Sequence, residues 1–216
     1  MKILLAYATE HEVGLDNINI SKDGPNKKIE LLITGIGVAS TIYHLTKSLL
    51  QTKYDIVIQA GIAGSFTEDL QFGEVVLVRE DTFADYGVEE NGVLKNLFNS
   101  GLVNENVFPF EKGWLINQND FLNAGFLRTI KAITINKITD NKEQINQQKN
   151  IFKADIESME GAAFHYVCLQ IGIPFLQIRS ISNKVGERDK TKWEMNEAIR
   201  NLNHEVEKLL QSLFRL

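Results

Sequence analysis

Apolar runs of strand length recur along this chain, at residues 2–8, 29–33, 55–60, 74–78, 130–135 and 175–178. Several are nearly continuous rather than alternating, the pattern of strands buried on both faces. Helical periodicity fills the spaces at 39–50, 159–171 and 192–214. The middle helix has a clear stop, with Gly172 at its C-terminal edge and Pro174 opening the next run. Strands interleaved with helices predict an α/β architecture, a mostly parallel sheet covered on both sides. A length of 216 residues suits one such domain, spanning 1–216, and leaves little room for two. Ligands of such sheets gather at the carboxyl ends of the strands, so the residues that follow each run carry the functional question. Residues 83–110 break the pattern. A long excursion with its own aromatics marks a functional lid or an interface.

Charge narrows the function classes. Asp and Glu number 28 against 23 Lys and Arg, a formal net charge of −5, and the basic residues form no run. The electrostatic footprint of a nucleic-acid binder is therefore missing. No apolar stretch approaches the ~18–20 residues needed to span a bilayer. The opening Met1-Lys2-Ile3-Leu4-Leu5-Ala6 runs straight into a strand, without the anatomy of a signal peptide. Cys168 is the single cysteine, which excludes an intrachain disulfide and a multi-cysteine metal site. These features predict a soluble protein of a reducing compartment, the cytoplasm.

Five segments could carry chemistry. Glu10-His11-Glu12 follows the first run, and in an extended chain its two carboxylates project to the same side. They read as a general base or ligand anchor at a site mouth, or as a solvated acidic turn. Without H-E-x-x-H they do not indicate a zincin-type metal site. Thr34-Gly35-Ile36-Gly37-Val38-Ala39-Ser40 joins a strand to a helix as G-x-G-x-x-S and lacks the third glycine of the dinucleotide fingerprint. Its glycines suit close approach of a ligand or plain strand–helix packing equally well. Gly61-Ile62-Ala63-Gly64-Ser65 follows the third run, where small residues expose backbone N–H groups to a polar ligand or form a tight turn.

In Glu157-Ser158-Met159-Glu160-Gly161-Ala162-Ala163, Glu160 opens a helix. Its carboxylate complements the positive end of the helix dipole, and it could equally accept hydrogen bonds from a sugar's vicinal hydroxyls. His165 and Cys168, three apart on that helix, read as packing residues rather than ligands. Arg179-Ser180-Ile181-Ser182-Asn183 ends the last run. There Ser182 and Asn183 are turn formers, or they present an amide to a heteroaromatic base.

In their order and spacing these segments resemble the purine nucleoside phosphorylase/nucleosidase superfamily, on its methylthioadenosine/adenosylhomocysteine nucleosidase branch. The resemblance runs along nearly the whole chain and includes Phe72-Gly73-Glu74-Val75-Val76. Within that branch, Ser182-Asn183-Lys184-Val185-Gly186-Glu187-Arg188-Asp189-Lys190-Thr191-Lys192-Trp193 is most similar to the futalosine-cleaving group, which removes hypoxanthine on a route to menaquinone. The resemblance implies a nucleoside phosphorylase-like α/β fold, a central mixed β-sheet flanked by helices. It implies a small-molecule nucleoside as partner, a homodimer as the common assembly, and neither metal nor organic cofactor. Glu12 matches the acid that activates the attacking water, and Glu160 the carboxylate that holds the ribose 2′- and 3′-hydroxyls. Met159 matches its neighbour against the sugar, and Trp193 the aromatic near the 5′ substituent. Asn183, with Ser182 beside it, meets the purine, and Ile62, Ala63 and Gly64 line the substrate pocket.

One position departs from the adenine-specific enzymes of the branch, which carry Asp where this chain has Asn183. Hypoxanthine offers O6, an acceptor, where adenine offers an amine. An amide supplies a donor for O6 and a carbonyl acceptor for N7–H, whereas an ionised Asp would face O6 unfavourably. Asn is a poor proton donor, which leaves water to protonate N7. Phosphorylases of the superfamily clamp phosphate with arginines, and the first arginine here is Arg79. Hydrolysis by a water that Glu12 activates is therefore the expected reaction.

Overall fold

Near-continuous apolar strands need cover on both faces, and the alternation of side chains along each strand assigns residues to one cover or the other. The computed structural model describes residues 1–14, 27–123 and 127–215. Strand β1 (Lys2–Tyr7) lies parallel between β2 (Lys28–Ile33) and β3 (Ile56–Ser65). Two later helices and one early one enclose this wing. Leu4 and Val57 point to α1 (Val38–Gln51) and α3 (Gly161–Ile171), packing with Leu45, Phe164, Val167 and Cys168. Ile3, Leu5 and Ile58 point the other way, to Leu202, Val206 and Leu210 of α4 (Met195–Leu213). Each such fully buried aliphatic side chain contributes about 1.5–3 kcal/mol.

The rest of the sheet is mixed. Strand β3 also pairs in parallel with β10 (Phe175–Lys184), which pairs antiparallel with β4 (Val75–Asp81). From β4 the order continues through parallel β8 (Arg128–Thr134) and parallel β9 (Ile156–Ser158). Strand β9 then returns to pair antiparallel with the end of β3, so five strands close on themselves. A two-residue strand, β7 (Leu115–Ile116), joins the end of β4. Helix α2 (Lys142–Phe152) packs through Phe152 against Ile133 and Ile135. Among the described residues no helix is long and apolar enough to cross a membrane.

Several boundaries differ from the sequence expectation. The segments expected to follow strand ends, with a turn as one reading of 61–65 and of Ser182 and Asn183, are ladder partners of each other, with Arg179 opposite Gly61 and Asn183 opposite Gly64. Paired main chains override the turn preference of small residues, because each supplies the other's hydrogen bonds. The register slips between Ile181 and Asn183, a bulge that re-aims the side chains at this end. Helix α4 begins at Met195 because Lys190–Lys192 form a separate 3₁₀ turn, capped by the Asp189 carboxylate on Thr191 N–H. The excursion at 83–110 contains a hairpin of β5 (Gly87–Glu90) and β6 (Val93–Asn96). Its turn is Asn91-Gly92, both at positive φ (54° and 76°), a hairpin signal that was present in the sequence.

A buried polar layer fastens α3 to the sheet. The Thr134 hydroxyl donates to Asp81 (3.0 Å) and accepts from Ala162 N–H (2.7 Å), while Gln177 donates to Asp81 (3.2 Å). Gly161 lies so close that a Cβ there would collide with Asp81 and Gln177. His165 and Cys168 are both fully buried in the packing of this helix. Burial pushes the His165 imidazolium down to about 3, so the ring is neutral, with Nδ1 3.1 Å from the Leu115 carbonyl oxygen.

Candidate active site

The carboxyl ends of β1, β3, β9 and β10, together with the residues after β2, meet at one cleft of about 460 Å³. All nine residues singled out for a site line it: Glu12, Ile62, Ala63, Gly64, Met159, Glu160, Ser182, Asn183 and Trp193.

Glu12 does not sit on an extended chain. Glu10–Glu12 form a 3₁₀ turn, so Glu10 faces solvent while Glu12 is buried, and the two carboxylates do not act as a pair. Glu12 Oε2 accepts from Thr9 N–H (3.0 Å) and the Thr9 hydroxyl (3.1 Å). Its Oε1 accepts from Ile62 N–H (3.2 Å), which ties the turn to β3. Asn203 of α4 holds the turn from behind, donating to the Glu12 carbonyl (2.9 Å) and accepting from Tyr7 hydroxyl (2.9 Å) and Gly14 N–H (3.0 Å). Burial, reinforced by the Glu12 charge, pushes the Tyr7 phenol up and keeps it a donor.

Glu160 caps α3 and is 6% exposed. Its Oε1 accepts from Gly37 N–H at 3.0 Å. Gly37 stands at φ 89°, a conformation that favours glycine, and it points this N–H at the carboxylate. The second glycine of G-x-G-x-x-S therefore serves a carboxylate of the protein's own chain. Burial pushes the Glu160 carboxyl up, and the Arg179 guanidinium, 3.7 Å away, pulls against it.

Arg179 was not among the sequence candidates. It is 1% exposed, donates to Gln59 Oε1 (2.8 Å) and the Ile62 carbonyl (3.5 Å), and reaches Glu160. Gly61 leaves the room for it, since a Cβ there would collide with the guanidinium and stand 3.1 Å from Glu12 Oε1. An arginine directly after the apolar run 175–178, in what proves to be the same strand, was the available signal, because a charge in a buried strand must find partners.

At the other end of the cleft the Asn183 Oδ1 accepts from Ser182 hydroxyl (2.8 Å), and Nδ2 donates to the Lys184 carbonyl (2.8 Å). One N–H and one lone pair of the amide stay available for a ligand. Glu157 lies on the same wall and was also unassigned. Trp193 donates its indole N–H to the Glu187 carbonyl (3.0 Å), with the Arg188 guanidinium 5.8 Å from its ring. Arg188 and Lys190 border the opening, whereas Lys184 turns to the Thr67 carbonyl (2.6 Å) and Glu68. Carboxylates held by N–H donors at one end and an amide at the other can accept hydroxyls, take a proton from water and pair with a heterocycle.

Comparison with known proteins identifies the family and the fold. Residues 21–216 match the family described as the phosphorylase superfamily. The chain is 30% identical to the futalosine hydrolase of Thermus thermophilus over 83% of this chain and 80% of that protein. It is 27% identical to the 5′-methylthioadenosine/S-adenosylhomocysteine nucleosidase of Buchnera aphidicola, over 94% of this chain and 92% of the relative. The structure of the Neisseria meningitidis 5′-methylthioadenosine/S-adenosylhomocysteine nucleosidase, in complex with methylthio-immucillin-A, superposes with a TM-score of 0.81. That match is at 18% identity, covering 98% of this chain and 99% of that one. With the mixed sheet closed through β9 and the family match spanning nearly all of the residues, this chain belongs to the phosphorylase superfamily.

Proposed function

We propose that this enzyme hydrolyses the N-ribosidic bond of futalosine and releases hypoxanthine, on a route to menaquinone. The observation that carries the reading is the convergence of Glu12, Glu160 and the amide of Asn183 on one cleft. Glu12 takes the proton of the attacking water as the C1′–N9 bond opens through an oxocarbenium-like state, help worth ~10²–10⁴-fold. Glu160, oriented by Gly37 and Arg179, receives the ribose 2′- and 3′-hydroxyls. Met159 packs on the sugar, and Trp193 borders the 5′ substituent. Asn183 donates to O6 and accepts from N7–H, while Ile62, Ala63 and Gly64 present main chain to the substrate. Arg179 is bonded to Gln59 and Ile62 of the protein itself, which supports water rather than phosphate as the nucleophile.

The likeness to the Buchnera enzyme favours a second reading, cleavage of methylthioadenosine or adenosylhomocysteine. Parallel incubation with futalosine, methylthioadenosine and inosine, followed by identification of the free base, separates the two. Hypoxanthine is expected from futalosine, with activity that survives exhaustive chelation and needs no phosphate. Sugar-1-phosphate products, or activity lost to the chelator, would contradict the hydrolase.

The assembly belongs to the same proposal. Val38, Ile42, Phe83, Tyr86, Phe98 and Phe108 line an apolar groove of about 590 Å³, with Phe108 68% and Tyr86 58% exposed. A homodimer that covers this groove should sediment at twice the 24.4 kDa chain mass, and a monomeric mass would refute it.

A further inference from the structure

We propose that Glu157, rather than water, delivers the proton that the departing purine takes at N7. The proposal rests on the nucleosidase reading and completes it, because Asn183 can hold N7–H but cannot supply it.

Glu157 lies on β9 opposite Gly64 in the ladder and is 7% exposed. Its Oε2 is buried with no hydrogen-bond partner among the described residues, although it lines the same cleft as Asn183. The two side chains meet across Gly64. From the place where a Cβ on Gly64 would stand, Asn183 Nδ2 is 3.3 Å away and Glu157 Cγ is 3.6 Å away. Even a Cβ there would stand 3.2 Å from Val185 Cγ2, so Gly64 lets the two polar side chains stand side by side on one wall of the cleft, where a base held by Asn183 meets the Glu157 carboxyl. Two charged groups face it, Arg188 from the segment after β10 and Asp85 from the segment after β4. Their effects oppose each other, and burial dominates, raising the carboxyl to about 7. A large share of Glu157 is then protonated at neutral pH, the state a donor needs.

The step balances without a further reactant. Water loses a proton to Glu12 and adds its oxygen to C1′. The C1′–N9 bond breaks with its electron pair passing to the purine, and the Glu157 O–H proton moves to N7, directly or through one water. The products are hypoxanthine, the ribose with a new hydroxyl, a protonated Glu12 and an ionised Glu157. Solvent returns the proton between the two carboxyl groups.

The test compares futalosine with p-nitrophenyl β-D-ribofuranoside, whose leaving group departs without being protonated. Glu157→Gln keeps the shape and removes the transferable proton. Its kcat on futalosine should fall by about 10²-fold or more, while the nitrophenyl substrate keeps the wild-type rate. In wild type, kcat/KM for futalosine should decline above about pH 7, and the nitrophenyl substrate should show no such limb. Equal losses on both substrates, undiminished futalosine turnover, or a shared alkaline limb would overturn the proposal. If the Gln variant does not fold, the two wild-type pH profiles still decide. A wild type that releases no base from futalosine, methylthioadenosine or inosine would refute the functional reading itself, before any variant is made.

Discussion

Glu12→Gln is expected to lower base release from futalosine by at least ~10²-fold while hypoxanthine still binds. The amide keeps the size of the carboxylate and the contact with the 3₁₀ turn, but it cannot take a proton from water. The geometry adds a second consequence. Glu12 accepts from main-chain N–H groups on both oxygens, Thr9 on one and Ile62 on the other. Gln offers a single acceptor, so one of those N–H groups would face an NH₂ donor. A mispaired buried donor costs roughly 1–3 kcal/mol, so the variant should also unfold at lower denaturant concentration. Single-turnover base release and hypoxanthine binding, both measured on folded protein, separate the two effects. Near-normal turnover would remove Glu12 from the chemistry.

Asn183→Asp should invert part of the base preference. Replacing the donor to O6 by a carboxylate leaves acceptor facing acceptor, a mispairing of roughly 1–3 kcal/mol and more when charged, so kcat/KM for futalosine should drop about tenfold to several-hundredfold. The local contacts sharpen the expectation. Ser182 can still donate to the Asp, but the oxygen replacing Nδ2 would face the Lys184 carbonyl, so the side chain must turn or hold a proton. Either response favours a base that presents an amine. Activity toward the 6-amino analogue of futalosine should therefore rise, by less than the loss, because the surroundings of Trp193 are unchanged. The measurement is the ratio of kcat/KM for the two substrates in wild type and variant. An unchanged ratio would mean that Asn183 does not read the base.

The apolar runs and helical periodicities located six strands and three helices, because burial on both faces imposes near-continuous hydrophobicity on a strand and one apolar face on a helix. The short β9 and the polar helix α2 carry too little apolar signal to stand out. Ends of elements shifted where pairing outweighed local preference, as at Gly61 and Asn183, whose ladder partners lie more than a hundred residues away.

The site divides along the same line. The types of residue that bear chemistry were legible in the segments themselves, since a carboxylate after a strand, an amide at a strand end and small residues between them are local facts. Their surroundings were not. Only the folded chain brings Arg179 within 3.7 Å of Glu160, reaches Asn203 of α4 back to the Glu12 turn, and sets Glu157 beside Asn183 across Gly64. Strand-sized apolar patterns and the identity of the polar groups are written in the chain. Burial, and with it the protonation and orientation of those groups, comes from residues far apart in sequence that exclude water together, so the tertiary structure alone decides it.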